Sequence, residues 1–287
     1  MKRLLALYAV VICLFLFVSV ADARRPNRGV TVAVVDSGSD AVQGGAALTG
    51  IAALGPISWF RGGVDLFQDT GGSTAVSADA QPIQRWNDQG SLSTNMVEAT
   101  NNPSSLSLNS VFVVNSGSTN VLTGGTNMDF DRFDALSIIA VVNATGYTSF
   151  HTITSRWQSA NPGWFFGVYN TDRVWFQMSK PGGEGMAATG TTVLSAGTTY
   201  TLAITKDTSG SNAGYTFYVD GVGDGLTSLD NDLVSSIAGS RSVHIGADAS
   251  GVGQFNGRIA EVIYFDKELS AAEVLSSHTE LATKYGH

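Results

Sequence analysis

"FNGRIAEVIYFDKELSAAEVL", Phe255 to Leu275, joins the longest strand-like run of the chain to its clearest helix start. Arg258 to Phe265 is apolar on both faces apart from Glu261, the pattern of a strand covered on both sides. Glu261 is expected to pair with an arginine such as Arg258 or Arg156. Ser270-Ala-Ala-Glu273 then forms a capping box, in which hydroxyl and carboxylate satisfy each other's end of the first helical turn. Val274, His278, Leu281 and Tyr285 follow at spacings of four, three and four, which puts them on one helix face. This short C-terminal helix is expected to lie against a sheet as a closing strap. His278 is then packed or half exposed, without ligand partners from its own helix.

Upstream the pattern is strand, turn, strand. Ser137 to Val142 is an apolar run of strand length. Tyr200, Leu202 and Ile204 alternate with Thr201, Ala203 and Thr205, the period of a half-buried strand. Tyr215, Phe217 and Val219 share a face and run into Asp220-Gly221, a hairpin turn whose glycine accepts positive φ. Val243 and Ile245 give one more short strand. Such strands read as a sandwich rather than a parallel sheet. Composition agrees: 33 glycines among 287 residues suit tight turns, 43% hydrophobic residues suffice for a large core, and only 14% are charged.

The N-terminus reads separately. Lys2 and Arg3 precede an apolar run from Leu4 to Val20, and Ala21-Asp22-Ala23 supplies an A-x-A cleavage site, so residues 1–23 are expected to be a secretory signal peptide. The alternative is an uncleaved anchor at residues 4–20, at the short edge of the roughly 20 residues a spanning helix needs. Cleavage would remove the only cysteine, Cys13, and with it any thiol nucleophile or disulfide. It would leave 14 basic and 23 acidic residues, net −9. An acidic chain without a basic cluster argues against nucleic acid, whose phosphates are held by Lys and Arg. Val32 to Gly38 spells a subtilisin-like strand with Asp36 in the catalytic slot, but a triad also needs an oriented histidine and a nucleophilic serine. His151, His244, His278 and His287 all lie in the wrong contexts, and Gly125-Thr-Asn-Met128 carries Asn where the serine would stand. Residues 24–56 are therefore expected to be an extension and linker.

The order of several motifs resembles one family. Phe255 to Asp266, Leu269-Ser-Ala-Ala-Glu273 and Lys284-Tyr-Gly286 resemble the C-terminal signature of laminin-G-like domains of the concanavalin A-like lectin/glucanase superfamily. Leu66-Phe-Gln-Asp69, Trp86-Asn-Asp-Gln-Gly90 and Ala99 to Pro103 are similar to the opening of that domain, and Tyr215 to Gly221 to its central hairpin. The resemblance covers about residues 57–286. It implies an all-β jelly-roll sandwich of two antiparallel sheets over residues 57–287, with Trp59 and Trp86 in the core. It implies less about function, since the fold hosts lectins, adhesion modules and glycosidases alike.

Glycosidases of the superfamily carry an E-x-D-x-E strand. The nearest stretch, Asp129-Phe-Asp131-Arg-Phe-Asp134, has no glutamate and precedes a strand where a loop is expected, so no catalytic residue is assigned. Glu261 and Asp266, five apart, fall on opposite strand faces. Relatives suggest calcium as the candidate ion. Asp220, Asp224, Asp230, Asp232 and Asp248 are acidic, but their spacing fits no ligand loop and turn formation explains each. Asn143-Ala-Thr145 is a sequon that matters only in a eukaryotic host. Sugar binding has the better physical handle, because sugar C–H faces pack on half-wet aromatic rings. Asn161 to Gln177 holds two Trp and a Tyr across a hairpin. If Val174, Phe176 and Met178 face the core, Trp175 and Gln177 face outward. Trp164 and Tyr169 have opposite parity, so at most one of them joins Trp175, and Trp164 leans toward the core. The candidate glycan-binding residues are Trp175, Gln177, Tyr169 and Trp164. The expectation is an exported, non-catalytic carbohydrate-binding or adhesion module for a glycan or cell-surface polysaccharide. The alternatives are a glycoside hydrolase of the same fold and a structural surface or phage-particle protein without a small ligand.

Overall fold

A computed structural model describes residues 49–287 except 99, 101, 117–119, 148–149, 158–161, 181 and 252. The signal-like segment, Cys13, Asp36 and Asn161 lie outside the described residues. Two antiparallel sheets make a sandwich, as expected. The first sheet runs in the order β15 (Val222–Asp224), β14 (Tyr215–Val219), β13 (Thr199–Lys206), β8 (Leu136–Ala144), β18 (Gly257–Phe265), β6 (Val111–Ser116) and β5 (Ser104–Leu108). In it β8 lines one whole edge of β18, while β6 takes Gly257 to Ile259 of the other edge and β1 (Ser58–Arg61) takes Glu261 to Tyr264. The second sheet begins with β16 (Thr227–Asn231), β12 (Gly185–Thr189), β11 (Val174–Ser179), β10 (Gly163–Val168), β9 (His151–Ser155) and β17 (His244–Ile245). It continues through β7 (Leu122–Thr123), β4 (Met96–Val97), β3 (Arg85–Trp86) and β2 (Leu66–Phe67).

The facing sides of the sheets interdigitate to form the main core. Ile138, Ala140 and Val142 of β8 meet Trp164 and Phe166 of β10 and Val174, Phe176 and Met178 of β11. Every one of these belongs to the inward parity of its strand, so period-2 alternation decides what enters the core. Trp86 is also here, while Trp59 is buried in a second core on the opposite side of the first sheet. That second core explains why β8 and β18 are apolar on both faces. Helix α2 (Ala271–Tyr285) lies over Ile139, Val141, Ala203 and Ile263 and buries Val274, Leu281 and Tyr285 against them.

The capping box forms as the sequence specifies: Ser270 Oγ accepts from Glu273 N, and Glu273 Oε2 accepts from Ser270 N at 2.7 Å. The helix ends on Gly286 in the left-handed region, φ 73°. A second helix, α1 (Thr49–Ala53), buries Ile51 in the same core, and Ile51 N donates to Glu280 of α2. Residues 49–56, expected in the linker, are thus packed on the domain. Asp88 of the Trp86-Asn-Asp motif fastens β1, accepting from the backbone N–H of Trp59, Gly90 and Thr94.

The expected Glu261–arginine pair does not form. A β-bulge lies between Ile259 and Glu261: Ile259 pairs with Val142, Glu261 with Val141, and Ala260 is the extra residue. Ile259 therefore faces the sandwich core, while both Ala260 and Glu261 face α2. There Glu261 is fully buried and accepts from Lys284 Nζ at 3.0 Å, Tyr285 OH and Trp59 Nε1. Its partner lies 23 residues away on the helix, beyond any local pattern.

Burial also sets a pH response. His244 of β17 is 8% exposed, its Nδ1 makes no hydrogen bond, and desolvation lowers its pKa to about 4. The unfolded value is about 6.5. Between these pH values the unfolded chain takes up a proton that the folded chain does not, so the His244 contribution to stability falls as pH drops from about 6.5 to about 4 and is constant below. At about 1.4 kcal/mol per unit the expected loss is up to roughly 3 kcal/mol. His151 and His287 are shifted the same way by burial and add to the slope. Urea midpoints between pH 4 and 7 check this: His244→Gln should respond less steeply than the wild type, and parallel curves would refute the assignment.

Candidate functional site

On the outward face of the second sheet, β9, β10, β11 and two flanking loops enclose a groove of about 430 Å³. Its wall is a continuous row of rings. Trp157 stands 5.2 Å from Phe165, Phe165 stacks on Trp175 at 5.4 Å and 22°, and Phe150 covers Trp175 at 5.4 Å. Tyr169 backs the row, 4.8 Å from Phe150 and 5.8 Å from Trp175. Strand pairing produces the row: Phe165 lies directly opposite Gln177, and both have the parity that leaves the core.

The groove's other end is polar. Gln177 lines it, with no hydrogen bond to another described side chain, beside Ser179, Lys180 and Glu184. Lys180 Nζ donates to Ser235 Oγ at 2.7 Å, and Ser235 Oγ donates to Glu184 Oε2 at 2.8 Å. Asp248 closes the far rim, where it accepts from Ser250 N. An aromatic wall beside amide, ammonium and carboxylate groups suits a ligand with a flat apolar face and a polar edge.

The expected binding residues divide. Trp175 and Gln177 face outward and line the groove, but Trp175 is only 4% exposed and forms its floor under Phe150 and Phe165. Its Nε1 makes no hydrogen bond. Tyr169 supports the floor without lining the groove. Trp164 is corrected: it is fully buried in the sandwich core, 6.0 Å from Phe130 and 6.2 Å from Tyr264, because its parity is that of Phe166. Phe165, Trp157 and Phe150 were not foreseen. Parity could have found Phe165, which alternates with Trp164 and Phe166 and matches Tyr169. Trp157 and Phe150 come from β9's flanks, and only the fold brings them here.

Most of the other candidate carboxylates hold backbone. Asp129 pairs with Arg156 and accepts from Gly239 N, and Asp131 accepts from Ile237 N and Ser236 Oγ. Asp224 accepts from the amides and hydroxyls of Thr191 and Thr192; burial raises its pKa, but these bonds together hold it below the usual carboxylate range. Asp232 accepts from Gly185 N at 2.6 Å and Asp220 from Thr201 N at 2.8 Å. No three of Asp220, Asp224, Asp230, Asp232 and Asp248 converge among the described residues.

Residues 115–275, more than half of the chain, match a laminin G-like family model described as the concanavalin A-like lectin/glucanases superfamily. No characterised protein matches by sequence. Among solved structures, the binding domain of Paraclostridial Mosquitocidal Protein 1 is similar with a TM-score of 0.53 at 13% identity, over 71% of this chain and 51% of that one. The receptor binding domain of botulinum neurotoxin D gives 0.53 at 12%, over 79% and 53%. The binding domain of botulinum neurotoxin serotype G gives 0.51 at 16%, over 69% and 49%. The chain spans about half the length of these structures, and the likeness is one of fold.

Proposed function

The chain belongs to the concanavalin A-like lectin/glucanases superfamily, and from that premise we propose that it is a non-catalytic carbohydrate-binding module whose ligand lies in the aromatic groove. One observation carries the reading: Trp157, Phe165, Trp175 and Phe150 form an unbroken ring surface beside Gln177 and Lys180. A pyranose laid along it would place C–H groups on the rings and hydroxyls toward the polar end. The similar structures, a receptor binding domain among them, also support a binding role. The basic start, the apolar run to Val20 and Ala21-Asp22-Ala23 support export to the cell surface or medium, where such a module would adhere to polysaccharide.

The test is a glycan array with the protein recovered from the medium, expected to carry Arg24 at its N-terminus. Binding to one sugar class is expected, weakened about tenfold or more by Trp157→Ala, the scale of losing one ring that stacks on a sugar face. Trp157 is half-buried at the rim, so this variant should keep the wild-type unfolding profile. A silent array with folded protein, or unchanged binding by the variant, would overturn the groove as the site. Glu184 and Asp248 line the same groove, and release of reducing ends from a bound polysaccharide would replace the binding reading by hydrolysis.

A further inference from the structure

Away from the groove, three elements bring two imidazoles and a carboxylate together. His278 comes from the middle of α2, Asp220 from the turn between β14 and β15, and His287 from the residue after the helix cap. One ligand atom from each lies within 4.8 Å of the other two. His287 Nε2 is 4.0 Å from Asp220 Oδ1 and 3.0 Å from Thr201 Oγ1. The two imidazole rings are 5.7 Å apart and inclined at 66°. His278 Nδ1 is buried and makes no hydrogen bond, a cost that an acceptor of its lone pair would remove.

The backbone is shaped for this convergence. Asp220 and Gly221 both have positive φ, 51° and 75°, so the tight turn folds down onto α2. A Cβ on Gly221 would stand 3.0 Å from His278 Cβ, so glycine permits the approach. Gly286, at φ 73°, turns the chain back so that His287 N donates to Ala282 O and its ring reaches β13.

We infer that Asp220, His278 and His287 form a binding site for a divalent transition-metal ion, with zinc the best match. Two neutral imidazoles and a carboxylate are ligands of zinc and its neighbours, whereas calcium takes oxygen only. Bonds of about 2.0–2.2 Å around a tetrahedral ion separate the ligand atoms by about 3.3–3.5 Å. The observed spacing must therefore close by at most about 1.5 Å, a displacement within reach of side-chain rotation, since the Asp220 side chain is 39% exposed. The fourth position is left to water or an outside ligand. Bound metal would tie His287 and α2 to the hairpin, a clasp unrelated to the groove.

Untagged, purified protein in chelator-treated buffer is titrated with zinc chloride by calorimetry and with cobalt(II) by visible absorption. One equivalent of zinc, competed by cobalt with the intense d–d bands of four-coordination, is expected. His278→Ala and His287→Ala should each weaken binding about tenfold or more. Because His287 lies beyond the cap of α2 and packs in neither core, its variant keeps the fold even where His278→Ala loosens the helix. Absence of stoichiometric zinc binding, or undiminished affinity in His287→Ala, would overturn the site and leave a plain hydrogen-bonded contact. Calcium should give no heat, and calcium binding lost in the same variants would equally refute the transition-metal assignment.

Discussion

Glu261→Ala is expected to lower folding stability by about 3–5 kcal/mol, the scale for removing one partner of a buried ion pair. The carboxylate is fully buried and the Lys284 side chain only 2% exposed. Alanine would leave an ammonium without its counter-ion and the Trp59 indole N–H without an acceptor, while the Tyr285 hydroxyl would keep only the Ala260 carbonyl. Burial already lowers the Lys284 pKa and Glu261 opposes that shift, so losing Glu261 pushes the lysine further toward its neutral form. The damage falls on the second core, since Lys284 and Tyr285 are the last turn of the helix that closes it. Urea unfolding reads the loss directly. Glu261→Gln, which keeps an acceptor and loses the charge, should fall between wild type and alanine. The double variant Glu261→Leu with Lys284→Met should recover part of the loss, because no lone charge stays buried. A loss below about 1 kcal/mol in Glu261→Ala would show that water reaches Lys284.

Arg156→Ala should come close to it, at about 3–4 kcal/mol. Arg156 is fully buried, a rare place for the residue. One arm of its guanidinium pairs with Asp129, and Nη2 donates to the carbonyls of Ile237 and Gly239 at 3.1 and 2.9 Å. Asp129 in turn accepts from Gly239 N, and Asp131 takes Ile237 N. One arginine thus fixes two long loops to the end of β9. Arg156→Lys keeps a charge but loses the planar fork, and should rescue little of the stability. Faster amide exchange at residues 236–241 in both variants is the accompanying signature. Protected amides there, with the stability lost, would place the defect in the core instead.

Much of this architecture was legible in the residues. Alternation in Tyr215, Phe217 and Val219, the Asp220-Gly221 turn, and the outward parity of Trp175 and Gln177 follow from a backbone that turns each side chain over at every step. The capping box at Ser270 and Glu273 is equally local, since its hydrogen bonds close within one helical turn. Other features were not legible, for equally physical reasons. Parity turns Trp175 outward, but only the fold shows that Phe150 and Phe165 cover it and make it the floor of a groove. Glu261 looked ready for an arginine, but one extra residue in β18 turned it toward α2 and Lys284.

Local periodicity, turn chemistry and apolar content therefore determined the two sheets, the strap helix and the outward hairpin face, because those depend on dihedral angles and on neighbours a few residues away. The tertiary structure alone decided which rings share a wall and where the buried charges find partners. It also decided how His278, without ligands on its own helix, meets Asp220 and His287. Those outcomes depend on contacts between segments tens of residues apart, whose register is set by the packing of the whole sandwich.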